Sequence, residues 1–150
     1  MGESITASAI VGFAQRFEDE SSEFYNKMAK KHENERELFL RFVREGTKNR
    51  ILITRTYQET ISDALEACFS FEDFNPNDYS TELDVNKNMS YSDALKKAIE
   101  LEENASEFYS KIAECSESLL ATMPRTFRKV GEKRSARKFK LKQLLDDTSR

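Results

Sequence analysis

Two twenty-residue segments of this chain repeat one another: residues 10–29 read IVGFAQRFEDESSEFYNKMA, and residues 94–113 read ALKKAIELEENASEFYSKIA. Aligned without gaps, they are identical at eight positions. Five of these positions in the first segment follow a spacing of 4, 4, 3 and 4, and they are Ala14, Glu18, Ser22, Tyr25 and Ala29. Because an α-helix turns once every 3.6 residues, this spacing puts all five on one helical face. The second segment predicts a matching helix, which carries Glu102 and Tyr109.

A second apolar stripe with helical spacing follows each repeated segment, and an acidic stretch that contains Pro76 separates the two halves. We expect helices near residues 5–31, 34–67, 91–117 and 124–147. Short connections within the halves make antiparallel helix pairs, over 5–67 and 91–147. The connection over 68–90 is long enough for the second pair to return across the bundle, with a short helical turn within it. The sequence therefore predicts one all-α domain over 1–150, a four-helix bundle with a long crossover connection.

Composition excludes several classes of protein. Four Gly and two Pro in 150 residues argue against a turn-rich β protein, and eleven Phe argue against disorder. The two cysteines, Cys68 and Cys115, exclude a disulfide scaffold or a four-cysteine metal module, and they predict reduced thiols in the cytoplasm. No apolar run approaches the length of a membrane span, so we expect no membrane partner.

With E-x6-Y on the first helix of each half, the chain resembles the ferritin-like superfamily, and its rubrerythrin-like branch in particular. The helix pair of that family looks like E-x6-Y-x3-A followed by F-x2-L-A-x2-E-x2-H. Glu18 and Glu102 begin the first motif in the two halves, and Phe39 and Phe127 begin the second. The resemblance implies a ferritin-like bundle built from two duplicated helix pairs. It also implies a centre with two iron or manganese ions, which handles iron, oxygen or peroxide.

The chain departs from the family at the ligands of the second helices. Counting from Phe39 and Phe127, the four family ligand positions hold Gly46, Asn49, Arg134 and Arg137. Only Glu18 and Glu102 remain as candidate metal ligands, and the sole histidine, His32, lies in the first interhelical turn. We therefore expect no bound cofactor, and the replaced ligand positions argue against enzymatic activity without deciding it. A register shift that recruits Glu45 or Glu132 would move the phenylalanines off the core face.

Two placements of the replacing arginines are open. Arg134 and Arg137 can enter the interior and neutralise Glu18 and Glu102, because buried carboxylates are costly without a partner. Alternatively, they lean out to solvent at a splayed end of the bundle. The first placement predicts that Arg134→Ala destabilises the fold.

Three functions follow as hypotheses. The favoured one is a bundle that has lost its metal site and serves a structural, binding or regulatory role, with a protein partner or a second copy of this chain. The second is a working iron or manganese protein. The third is nucleic-acid binding through the basic last helix, where residues 125–142 hold nine bases and one acid. Nucleic acid is the least favoured partner, because we expect this run to pair with the acidic stretch over 66–85 or to form a solvated face.

Overall fold

The computed structural model describes residues 5–60, 70–71, 74–83, 89–116 and 122–148. Within them the chain forms four long α-helices: α1 (Ala7–Lys31), α2 (Arg36–Thr60), α3 (Tyr91–Cys115) and α4 (Thr122–Thr148). The predicted all-α four-helix bundle is confirmed. The predicted ends of the second and third helices, at 67 and 117, lie outside the described residues, as does Cys68. None of the described helices is apolar over a stretch long enough to traverse a bilayer.

Capping side chains set the first residues of two helices. Thr6 Oγ1 accepts a hydrogen bond from the Ala9 amide at 3.1 Å, so α1 begins two residues later than predicted. The preceding residues, Ile5–Thr6, instead pair with Ser70–Phe71 as two short antiparallel strands. Ser90 caps α3, because its Oγ accepts a hydrogen bond from the Asp93 amide at 3.0 Å.

The helix directions require a connection that runs the length of the bundle. Tyr25 of α1 reaches Glu102 of α3, and Tyr109 of α3 reaches Glu18 of α1, so these two helices are antiparallel. A single turn of 3-10 helix at Glu33–Glu35 joins α1 to α2, which makes that pair antiparallel too. It follows that α2 and α3 are parallel, and the chain must return to the starting end between them. The long crossover is therefore confirmed.

The described part of this connection packs on α3. Phe74 is 4% exposed, and its ring and that of Tyr79 both lie 5.8 Å from the ring of Phe108. Thr81 Oγ1 accepts a hydrogen bond from Asn104 of α3 at 2.7 Å. The predicted helical turn is a 3-10 helix over Pro76–Tyr79. This described part of the connection thus lies on the side of the bundle that α1 and α3 form.

Candidate functional site

Two buried glutamates lie at the centre of the bundle, one in each half. Glu18 is 1% exposed and Glu102 is 0% exposed. Tyr109 donates a hydrogen bond to Glu18 Oε2 at 2.6 Å, and Tyr25 donates one to Glu102 Oε2 at 2.5 Å. Each carboxylate is therefore bound by the tyrosine of the opposite half, and the two contacts are related by an approximate twofold axis.

Burial keeps the two phenols protonated. It raises the pKa of Tyr25 and of Tyr109 well above 10, and the neighbouring carboxylates, Glu102 and Glu18 respectively, raise them further. A protonated phenol can donate to a carboxylate, whereas a phenolate would repel it. These tyrosines therefore act as fixed hydrogen-bond donors to the central glutamates.

Arg134 of α4 lies between the two glutamates. Its Nε donates to Glu102 Oε1 at 2.5 Å, and its Nη1 donates to Glu18 Oε2 at 2.8 Å. Its Nη2 donates to Ser21 Oγ at 2.9 Å, and the side chain is fully buried. Burial alone would lower the pKa of Arg134, but Glu102 and Glu18 raise it above its ordinary value. The guanidinium is thus held charged in the interior by both halves of the chain.

Arg137 supplies a second buried guanidinium, one helical turn further along α4. Its Nε donates to Glu45 Oε1 at 2.8 Å, and its Nη2 donates to the carbonyl of Phe42 at 3.1 Å. Its Nη1 lies 3.7 Å from Glu102 Oε2. Arg137 is 3% exposed, and Arg134 is 0% exposed. The alternative in which these arginines lean out to solvent is therefore wrong, because both find carboxylates inside.

The corresponding positions of α2 hold small or neutral side chains. Asn49 is buried, and its Nδ2 donates to Glu18 Oε1 at 3.1 Å, while its Oδ1 has no hydrogen-bond partner among the described residues. A Cβ atom added at Gly46 would lie 2.5 Å from Ser22 Oγ and 3.8 Å from Glu18 Oε1. Close approach of α1 and α2 at this level therefore suits a glycine.

Aromatic stacking supports the register predicted for the second helices. The ring of Tyr25 stacks on Phe39 at 6.1 Å, and the ring of Tyr109 stacks on Phe127 at 6.0 Å. The two phenylalanines are thus equivalent in the two halves. Counting from them places Gly46, Asn49, Arg134 and Arg137 in the interior, where all four are buried.

The other acidic and imidazole candidates lie away from the two central carboxylates or are already bound. Glu45 pairs with Arg137, and Glu132 is exposed on α4. His32 lies at the end of α1, with its ring 4.4 Å from that of Tyr91. None of these residues joins Glu18 and Glu102.

The central residues do not fit a two-metal centre. The guanidinium of Arg134 is within hydrogen-bonding distance of both carboxylates, so a positive charge already lies where a metal ion would have to bind. Across the described ranges, no group of three or more His, Cys, Asp or Glu side chains is placed to share a metal ion. What the residues form instead is a closed network of charges and hydrogen bonds, which we name the Arg–Glu cluster: Glu18, Glu102, Arg134, Arg137, Tyr25 and Tyr109.

Comparison with models of protein families, with curated proteins and with solved structures found no match. The interpretation of the site therefore rests on its geometry.

Two residues that bind the arginines of the Arg–Glu cluster were not predicted from the sequence. Ser21 accepts from Arg134 and donates to the carbonyl of Phe17 at 2.7 Å. Glu45 was considered only as a metal ligand, whereas it binds Arg137. The position of Glu45 in the sequence does not indicate this partner, because the contact crosses the interface between α2 and α4.

Proposed function

We propose that this chain is a ferritin-like bundle of rubrerythrin type in which the Arg–Glu cluster takes the place of the two-metal centre. In this proposal the protein is not an enzyme, and it serves as a binding or structural module with the bundle as a rigid frame. The observation that carries the proposal is the position of Arg134, hydrogen-bonded to Glu18 and to Glu102 at once.

Electrostatics support the replacement. Two buried arginines face two buried glutamates, with Glu45 as a partly exposed third acid. A divalent ion about 4 Å from a guanidinium would be repelled by about 8 kcal/mol at an effective dielectric constant of 20. The two carboxylates would also have to give up their hydrogen bonds to Arg134 before they could bind such an ion. The cluster and a metal ion therefore compete for the same oxygens.

Burial argues against catalysis at the cluster. Glu18, Glu102 and Arg134 are each at most 1% exposed, so a dissolved substrate has no direct contact with them. Their hydrogen bonds join α1, α3 and α4. The cluster therefore stabilises the packing of these three helices. A partner would be recognised by the outer faces of the helices.

Metal analysis tests the proposal. The purified protein is loaded anaerobically with Fe(II) or Mn(II), desalted, and its metal content is measured by mass spectrometry. We expect far less than one ion per chain. Two ions per chain, retained after desalting, would mean that Arg134 is displaced and would support the alternative of a working iron or manganese protein.

Two variants calibrate this measurement. Arg134→Glu/Arg137→His returns the ligand types of the family to α4, and we expect it to bind Co(II) with visible absorption. Arg134→Gln/Arg137→Gln removes the same two charges and adds no metal ligand of comparable strength, and we expect no absorption. Comparison of the two variants distinguishes the effect of removing the positive charges that repel a metal ion from the effect of adding metal ligands.

A further inference from the structure

The outer charges of the bundle are divided unevenly among the helices. Leaving out the buried Arg134, Arg137, Glu18 and Glu102, helices α2 and α4 together carry thirteen basic and six acidic side chains, whereas α1 and α3 carry seven basic and eight acidic ones. Since the whole chain has a formal charge of −3, this division is not a consequence of its overall balance. It points to a positive surface on the side where α2 and α4 meet.

Two contacts fix how α2 and α4 lie against each other. Thr56 Oγ1 is 2.9 Å from Thr126 Oγ1, and Arg137 Nε donates to Glu45 Oε1 at 2.8 Å. The helices are therefore antiparallel. Two residues, one from each helix, lie at the same level along the bundle when their numbers add up to about 182.

Basic residues face each other across this helix pair. On α2, Arg41 and Lys48 lie four residues before and three residues after Glu45, on the side of the helix that contacts α4. On α4, Lys133 and Lys140 flank Arg137 in the same way. Two turns further along α2 lies Arg55, and one turn before Lys133 on α4 lies Lys129. The register therefore gives three levels: it pairs Arg41 with Lys140 and Lys48 with Lys133, and it brings Arg55 to within two residues of the level of Lys129. We call this surface the α2/α4 groove.

Within the described part of the chain, no acidic side chain forms an ion pair with the basic residues of the groove. Five of its six basic side chains are exposed and Lys133 is half-buried. Glu45, which borders the groove, is already bound to Arg137. The described part of the connection, 74–83, packs on α3 and does not cover it. Like charges at the same level repel one another, and a bound anion would relieve that repulsion.

We infer that the α2/α4 groove binds the phosphate backbone of single-stranded nucleic acid. Rows of Lys and Arg are the electrostatic footprint of phosphate binding. The levels span 14 residues of helix, or about 21 Å, and a single strand lying between the rows reaches both of them. The two rows lie on neighbouring helices in direct contact, whose axes are typically about 8–10 Å apart, and rows this close suit the single backbone of one strand.

A second copy of this chain fits the groove less well. Helices α1 and α3, which together carry slightly more outer acids than bases, lie on the opposite side of the bundle, so pairing of the two faces would be head-to-tail and would generate open chains of molecules. Lysine is also depleted from the centres of protein–protein interfaces, whereas three of the six groove residues are lysines of α4. The inference goes beyond the proposed replacement of the metal centre, and it does not depend on the interior of the bundle.

Fluorescence anisotropy with a labelled oligothymidylate longer than the groove tests the inference. For six phosphate contacts to a single strand, we expect the logarithm of the association constant to fall with the logarithm of salt concentration with a slope of about −4. Lys48→Gln/Lys133→Gln removes the middle level, so the slope should change to about −3 and binding near 0.1 M salt should weaken about twenty-fold.

Lys30→Gln/Lys96→Gln is the matched control, because it removes two exposed lysines from α1 and α3 with the same change in net charge. We expect it to bind like the wild type. Thermal unfolding checks that both variants are folded. The groove variant should be no less stable than the wild type, because it removes two positive charges that repel each other.

Three results would overturn the inference. One is the absence of oligothymidylate binding at about 50 mM salt. Another is an equal loss of affinity in the control and the groove variant. The third is tighter binding of polyglutamate than of oligothymidylate under the same conditions, which would assign the groove to an acidic protein. Metal content is measured separately, so none of these results bears on the proposed function.

Discussion

Replacing Arg134 by methionine should lower the stability of the whole bundle. Methionine is close to arginine in apolar volume, so Arg134→Met removes the charge with little change in packing. It deletes hydrogen bonds to Glu102, Glu18 and Ser21, and it leaves two carboxylates that are at most 1% exposed. Arg137 remains near only one of them, with its Nη1 at 3.7 Å from Glu102.

The magnitude follows from this burial. Removing one partner of a buried ion pair costs about 3–5 kcal/mol, because the remaining charge is left without compensation. For a chain of 150 residues, such a loss lowers the melting temperature by about 10 °C. Denaturant unfolding followed by circular dichroism at neutral pH measures the loss. Arg125→Met, at an exposed position of the same helix, is the control and should cost at most about 0.5 kcal/mol.

A triple variant separates charge from packing. Arg134→Met/Glu18→Gln/Glu102→Gln removes the uncompensated charges together, and it should recover most of the stability that the single variant loses, because neutral replacements of buried ion pairs are often tolerated. If Arg134→Met lost less than about 1 kcal/mol, or if the triple variant were no more stable than the single one, the electrostatic reasoning would be refuted.

Further predictions concern other parts of the fold. Tyr25→Phe and Tyr109→Phe should each lower the free energy of unfolding, measured with denaturant, by about 1.5–3 kcal/mol. The two losses should be similar, because each variant deletes one hydrogen bond to a buried carboxylate. Because the folded-state pKa of both tyrosines is raised above the ordinary value of 10, their contribution to stability is complete below about pH 10 and is lost as the pH rises. Their ionisation, followed by ultraviolet absorbance, should therefore accompany alkaline unfolding. Phe74→Ala should cost about 3–5 kcal/mol, since Phe74 is 4% exposed and anchors the connection on α3. Arg50→Met should cost at most about 1 kcal/mol, because its ion pair with Asp19 is exposed.

Helical periodicity predicted the inward face of the bundle well. The spacing from Glu18 to Tyr25 and from Glu102 to Tyr109 is set by the turn of a single helix, so it can be read without knowledge of the fold. The same holds for the count from Phe127 to Arg134. Helix ends were less predictable, since the start of α1 depends on whether Thr6 caps or continues the helix.

Apart from the open placement of Arg134 and Arg137 beside the central glutamates, contacts between helices were not predicted. That Tyr25 binds Glu102, and not the glutamate of its own helix, depends on the antiparallel arrangement of α1 and α3. That Arg137 binds Glu45 depends on the register of α2 against α4. Both arrangements follow from the path of the crossover connection, and no local pattern encodes that path. The sequence therefore left open whether the arginines enter the interior.

The difference between Gly46 and Arg134 determines whether either helix pair could form a bundle with a second copy of itself. The two residues occupy equivalent positions, yet one has no side chain and the other reaches both carboxylates. Two copies of the first helix pair would bring two glutamates together with no guanidinium. Two copies of the second would bring four arginines to two glutamates, with two Arg134 side chains competing for one space. The two halves are complementary at this level, so neither should assemble with itself into a bundle of comparable stability.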